Sequence, residues 1–175
     1  GLPVDEKHIS FLADSLLRLR TQETPYVCWG YSFAWQSRTE LVPRGSPNII
    51  CTSFAANALW DAFDYSGNFQ YAEAAAHAAR FILDQLFCED GDGLACFNYT
   101  PTDKTQIHNA NLLGAALLCR VAASTKDETL LAPALRAARF SVGCQDKDGS
   151  WYYGERDWPS QKWIDSFHTG FNLCA

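Results

Sequence analysis

Ile107-His-Asn-Ala-Asn-Leu-Leu-Gly-Ala-Ala-Leu-Leu-Cys-Arg-Val121 holds a single charged residue, Arg120, in fifteen. A helix that is apolar on nearly every side has neighbours on nearly every side, so this stretch predicts a buried helix. It has two relatives in the same chain. Ile50-Cys-Thr-Ser-Phe-Ala-Ala-Asn-Ala-Leu-Trp-Asp-Ala-Phe63 begins 57 residues before it, and Ile164-Asp-Ser-Phe-His-Thr-Gly-Phe-Asn-Leu-Cys-Ala175 begins 57 residues after it. All three are poor in charge and rich in small and amide residues. A fixed period of this length is the mark of a repeat architecture, and the three segments are its expected inner helices.

A second kind of helix alternates with them. Tyr71 to Leu86 carries Ala74, Ala78, Phe81 and Ile82 on one face, with Glu73, His77, Arg80 and Asp84 as a wet stripe on another. That spacing predicts an amphipathic outer helix. Leu130 to Cys144 matches it, and both contain Ala-Ala-Arg-Phe, at 78–81 and 137–140. Residues 5–20 form a third, with Ile9, Leu12, Leu16 and Leu19 on one side. Thr125-Lys-Asp-Glu128 reads as a capping box opening the second of these helices. Long connectors at 21–47, 88–105 and 145–162 lead from outer to inner helix, and short turns such as Tyr65-Ser-Gly-Asn68 lead back. The expected fold is all-α: one domain over 1–175, an α/α toroid of stacked helical hairpins with about three hairpins present, part of a larger ring. Open ring edges would expose apolar flanks and favour self-association.

Arg136-Ala-x-x-Phe140 followed by Gln145-Asp-Lys-Asp-Gly-Ser-Trp151 resembles the QW repeat of squalene and terpenoid cyclases, with Ser141 where that pattern has Leu, Ile or Val. The resemblance implies the toroid superfamily that also contains the protein prenyltransferases. In it, the Gln caps a helix end and the Trp packs over that end. The cyclase chemistry is not implied, since the chain has no DxDD or DDxxD motif, and the zinc sets of prenyltransferases and lanthionine cyclases are absent. The segment Asp148 to Leu173 also resembles uncharacterised toroid proteins encoded among bacterial polysaccharide-biosynthesis genes, a likeness that implies a setting in saccharide metabolism and names no reaction.

Composition narrows the partners. The net charge is −6 and no basic stretch could track a phosphate backbone, which excludes nucleic acid as an expected partner. No apolar run approaches the ~20 residues of a membrane span. The seven cysteines are odd in number and show no CxxC spacing, so they are expected as free core thiols of a protein in a reducing cytoplasm. No metal-ligand spacing stands out, and no cofactor is expected. Leu41 to Ser46 spells LVPRGS, the thrombin site of expression tags, and carries no functional reading.

Candidate site residues follow from the ring plan, which brings the aromatic connectors and the starts of the inner helices to one rim. Ligand contacts are expected from Trp29, Tyr31, Trp35, Arg38, Asn57, Tyr99, His108, Asn111, Tyr152, Tyr153 and Asn172. Aromatic faces stack on pyranose rings, and amides bind hydroxyls. Asp165 and His168, three apart on a helix, form a candidate proton-abstracting pair, with Glu155 as its acid partner. A capping role for Asp165 and a purely structural role for His168 and His108 are the competing expectations. Three functions fit this set: a hydrolase, lyase or epimerase acting on a polysaccharide or its precursor; a toroid for an isoprenoid or lipid-linked substrate; or a binding scaffold without chemistry.

Overall fold

The structure, a computed structural model, describes residues 5–37, 40–89, 95–154 and 159–175. The fold is an all-α, α/α toroid arc. Outer helices α1 (Glu6–Arg18), α3 (Phe69–Phe81) and α5 (Glu128–Gly143) alternate with inner helices α2 (Ile49–Ser66), α4 (His108–Thr125) and α6 (Ser166–Cys174). The inner helices pack in chain order, α2 on α4 and α4 on α6, while α2 and α4 each pair with the outer helix that follows. The arc is tightly curved. Phe54 of α2 and Phe171 of α6, separated by α4 in the packing order, still meet edge to face at 6.1 Å. Gly114 permits the α2–α4 approach, because a Cβ there would stand 2.5 Å from Ile49 Cδ1. Between the layers lies one core that includes Ile49, Leu59, Tyr71, Phe81, Leu117 and Val121, each such side chain worth roughly 1.5–3 kcal/mol of burial.

The inner-to-outer turns share one design. Gly67 ends α2 at φ 70° and Asn68 caps α3, its side chain accepting from the Gln70 N–H. Lys126 ends α4 at φ 63° and Asp127 caps α5, accepting from the Thr129 N–H. The capping box expected from Thr125 is therefore corrected: Thr125 belongs to the last turn of α4 and donates to the Val121 carbonyl, and Asp127 does the capping. The long connectors hold two ribbons that the sequence did not show, β1 (Trp35–Gln36) with β2 (Leu41–Val42) and β3 (Phe87–Glu89) with β4 (Ala95–Phe97), both antiparallel. Strands of two or three residues are too short for alternation to reveal. A π-helical turn, Ile82–Leu86, replaces the expected end of α3. LVPRGS is woven into the first connector: Val42 is buried, Gly45 N–H donates to the Tyr31 carbonyl, and the Gly45 carbonyl accepts from Thr21 Oγ1.

Each connector places an aromatic plug, one further residue, then a Tyr: Trp29 and Tyr31, Phe97 and Tyr99, Trp151 and Tyr153. The plugs are buried in all three. Trp29 Nε1 donates to the Leu16 carbonyl near the end of α1, and Trp151 Nε1 to the Ser141 carbonyl near the end of α5. The Phe97 side chain has no N–H, and the Leu86 carbonyl instead takes the backbone N–H of Asn98. The Tyr carbonyls then reach the neighbouring unit. Tyr99 O accepts from the Ile49 N–H at the start of α2, and Tyr153 O from the His108 N–H at the start of α4. The second and third connectors thus each close the inner helix of the unit before them.

Candidate functional site

Because every connector is tied to the start of an inner helix, the side chains around those Tyr residues converge. Over the start of α4 lies a pocket of about 220 Å³, with Ile107 at its base. All three connectors contribute to it. Trp35 and Tyr99 form one aromatic pair, with ring centres 5.7 Å apart. Tyr153 and Trp163 form another, stacked at 4.2 Å with an 18° angle between planes. Gln36, Ser37, Asp103, Thr105, Ser160 and Gln161 supply polar groups between them. Tyr31 buttresses the first pair, edge-on to Trp35 at 5.8 Å and 3.4 Å from the Tyr99 hydroxyl through its own. Burial, reinforced by Tyr31, pushes the Tyr99 phenol well above its ordinary value, so it stays neutral. The Asp103 carboxylate is fixed by the Thr105 backbone N–H at 2.9 Å and the Thr105 hydroxyl at 2.8 Å.

Asp165 and His168 form the expected pair beside this pocket. Asp165 caps α6 by accepting the His168 backbone N–H at 2.7 Å, and its other oxygen lies 2.6 Å from His168 Nδ1. Trp163 Nε1 donates to that same oxygen at 3.0 Å. Burial pulls the Asp165 carboxyl upward, but the His168 N–H, the imidazole and the Trp163 indole outweigh it and hold the group below the usual carboxylate range. The His168 ring stands edge-on to Tyr153 at 4.6 Å. The pair thus sits behind the Tyr153–Trp163 stack, and neither residue is among the described residues lining the pocket.

The other expected site residues divide. Tyr31, Trp35, Tyr99 and Tyr153 meet on one rim, and Tyr152 lies half-buried next to them without lining the pocket. Trp29 lies away from this pocket, 4% exposed, and its indole N–H donates to the Leu16 carbonyl of α1. Asn111 is buried and fully engaged: Phe97 N–H donates to Oδ1, and Nδ2 donates to the Ala137 carbonyl and to Ser141 Oγ. His108, 3% exposed, lies 3.0 Å from Ser141 Oγ through Nδ1, and burial depresses its pKa to about 4. Both residues tie the two layers together. Asn57 lies eight residues into α2 from Ile49, about 12 Å below the rim at 1.5 Å per residue. There it accepts from Arg120 at 3.0 Å in a clamp that also holds Asp61 and Asp64. Asn172 sits similarly deep in α6, buried, its Oδ1 without a partner among the described residues. Arg38 and Glu155 lie outside the described residues. Sequence reasoning missed Asp103, Thr105, Ser37 and Gln161; the Thr-rich run Thr100 to Thr105 was the available signal.

In the QW-like segment Trp151 does pack over the end of α5, while Gln145 stays within its own turn, donating to the Gly149 carbonyl. Among the described residues, no cluster of three or more His, Cys, Asp or Glu could hold a metal ion, and no helix is long and apolar enough to cross a membrane. None of the seven cysteines is in a disulfide, and burial lifts the Cys28 thiol to about 11, away from thiolate chemistry.

No protein-family model matches this chain, and no curated protein matches it in sequence. Solved structures do match in fold. The crystal structure of an unsaturated glucuronyl hydrolase responsible for glycosaminoglycan degradation, from Bacillus sp. GL1, aligns with a TM-score of 0.65 at 19% identity. A second, described as UGL with dGlcA-Glc-Rha-Glc, aligns equally well. Each alignment covers 96% of this chain and 47% of that one. This chain therefore has the fold of an α/α toroid over about half the length of the hydrolase chains it matches.

Proposed function

We propose that this chain is a saccharide-binding portion of a saccharide-processing toroid, acting on a polysaccharide or its precursor. The observation that carries this reading is the pocket at the meeting point of three connectors, walled by two aromatic pairs with amide, hydroxyl and carboxylate groups between them. Aromatic faces cover the apolar side of a pyranose, and the polar groups match its ring of hydroxyls. An isoprenoid would call for a wall of hydrocarbon instead. The shared fold with a hydrolase of glycosaminoglycan fragments supports the saccharide class and points to glucuronyl oligosaccharides as the first ligands to try. In the catalytic form of the reading, Asp165 orients His168 as a base, with Glu155 as acid, in a hydrolase, lyase or epimerase reaction.

The place of the Asp165–His168 pair, behind the aromatic stack, favours a second form: a binding module in which the pair braces Tyr153 and Trp163. Titration of the chain with glucuronyl oligosaccharides, followed by calorimetry and by mass spectrometry of the sugar, tests both. Trp35→Ala is expected to weaken binding at least tenfold while the fold stays intact. If binding persists unchanged in Trp35→Ala and Tyr153→Ala, or if no saccharide binds, the pocket is not a sugar site. Turnover abolished by His168→Ala with binding retained supports catalysis; binding and turnover lost together support the bracing role.

A further inference from the structure

The β3–β4 ribbon sets two cysteines opposite each other. In its register Cys88 pairs with Cys96, between the pairs Phe87 with Phe97 and Glu89 with Ala95. Directly opposed residues of an antiparallel pair project to the same face, with Cα atoms about 4.5–5.5 Å apart. That spacing lies within the roughly 4.4–6.8 Å that a disulfide spans. The Cys88 side chain already reaches across the ribbon. Its Sγ lies 3.2 Å from the Cys96 carbonyl and 3.3 Å from Asn98 Oδ1, both acceptors for its S–H. Cys96 Sγ donates to the Phe97 carbonyl at 3.6 Å. The two thiols differ in access: Cys88 is half-buried, whereas Cys96 is 2% exposed.

We propose that Cys88 and Cys96 are a redox pair that closes a disulfide across this ribbon, with a small-molecule disulfide of the glutathione class as oxidant. The Cys88 thiolate attacks one sulfur of the oxidant. The oxidant's S–S bond breaks, one glutathione leaves as thiolate, and Cys88 carries the other as a mixed disulfide. The Cys96 thiolate then attacks the Cys88 sulfur, and the second glutathione leaves. Two cysteine thiols have given up two electrons and two protons, which the oxidant has taken up as two thiols. Access assigns the first attack to Cys88 and the second to the buried Cys96.

The bond acts on the framework of the second connector. β4 runs on into Phe97, Asn98 and Tyr99, and β3 follows the π-helical turn Ile82–Leu86. Oxidation therefore ties the strand that brings Tyr99 to the rim pocket to the strand leaving α3. It also withdraws the Cys88 S–H from Asn98 Oδ1. The dithiol belongs to a reducing compartment and the disulfide to an oxidising one. The pair is defined by the ribbon alone and holds whatever the pocket binds.

The folded chain is equilibrated without denaturant at stepped ratios of reduced to oxidised glutathione, quenched with acid and alkylated, then digested for mass spectrometry. Trypsin leaves both cysteines on one peptide, residues 81–104. In oxidised glutathione this peptide is expected to be lighter by two hydrogens and unalkylated, and to regain two alkylated thiols as the ratio turns reducing. Further cleavage after Glu89 should leave its two halves joined. Cys96→Ser, checked for folding by circular dichroism, is expected to stall with one glutathione on Cys88. Should that variant unfold, the peptide from the parent chain decides alone. A parent peptide that keeps both thiols in oxidised glutathione, that carries glutathione without closing, or that joins to the peptide of another cysteine overturns the proposal.

Discussion

At the scale of single residues, polar side chains in this arc do more joining than recognising. Asn111 and His108 both sit where a ligand contact was expected, yet both face Ser141 across the layers. His108 gives this a pH signature. Its folded pKa, about 4, lies below the ordinary 6.5 because burial disfavours the charged ring. Between those values the unfolded chain binds a proton that the folded chain refuses. Stability is therefore full above pH 6.5 and falls as pH drops toward 4, by on the order of 3 kcal/mol for such a shift. Urea midpoints measured from pH 7 to pH 4 should show this loss, and His108→Gln should flatten it; an unchanged slope in the variant would assign the loss to other groups. The sequence could not separate these roles. An amide near the start of a buried helix reads the same whether it meets a sugar hydroxyl or a neighbouring carbonyl. Trp29 and Trp35 illustrate the same limit: they share a connector, but only the fold shows that one indole reaches back to Leu16 while the other stays on the rim.

At the scale of elements, periodicity carried the helices well. The charge-poor inner segments and the striped outer ones are where the sequence placed them, with ends shifted by a few residues, because burial on all sides and burial on one side leave different patterns. The ribbons and the π-turn stayed hidden, being set by tertiary packing of short segments. The two inner-to-outer turns offer a test of how local the design is. Gly67 and Lys126 occupy the same left-handed position, which glycine adopts freely and a residue with a Cβ does not. Lys126→Gly is accordingly expected to stabilise the protein by up to about 1 kcal/mol, seen as a higher denaturation midpoint. A lower midpoint would mean that the Lys126 ammonium, which bonds the Ala123 carbonyl at 3.0 Å, outweighs the backbone strain.

At the scale of the whole molecule, the ring plan and the gathering of aromatic connectors on one rim were readable from the repeat, whereas the pocket's polar lining was not, because those residues sit in segments with no period. The connectors are as much a part of the framework as the helices. The LVPRGS segment shows this: its Gly45 is bonded from both backbone groups and its Val42 is buried. Thrombin is expected to leave the native chain intact and to cut at Arg44 only at the rate of opening of the first connector, as gel analysis over increasing urea would show. Rapid cleavage without denaturant would mean that this connector is loosely held. The carbonyl links between units also bear on how the chain matures during synthesis. Tyr99 lies 50 residues after Ile49, and Tyr153 lies 45 after His108. On a ribosome, each lumen helix would wait with its first turn unfinished until the following connector had emerged, so the nascent arc would trail its own translation by one unit.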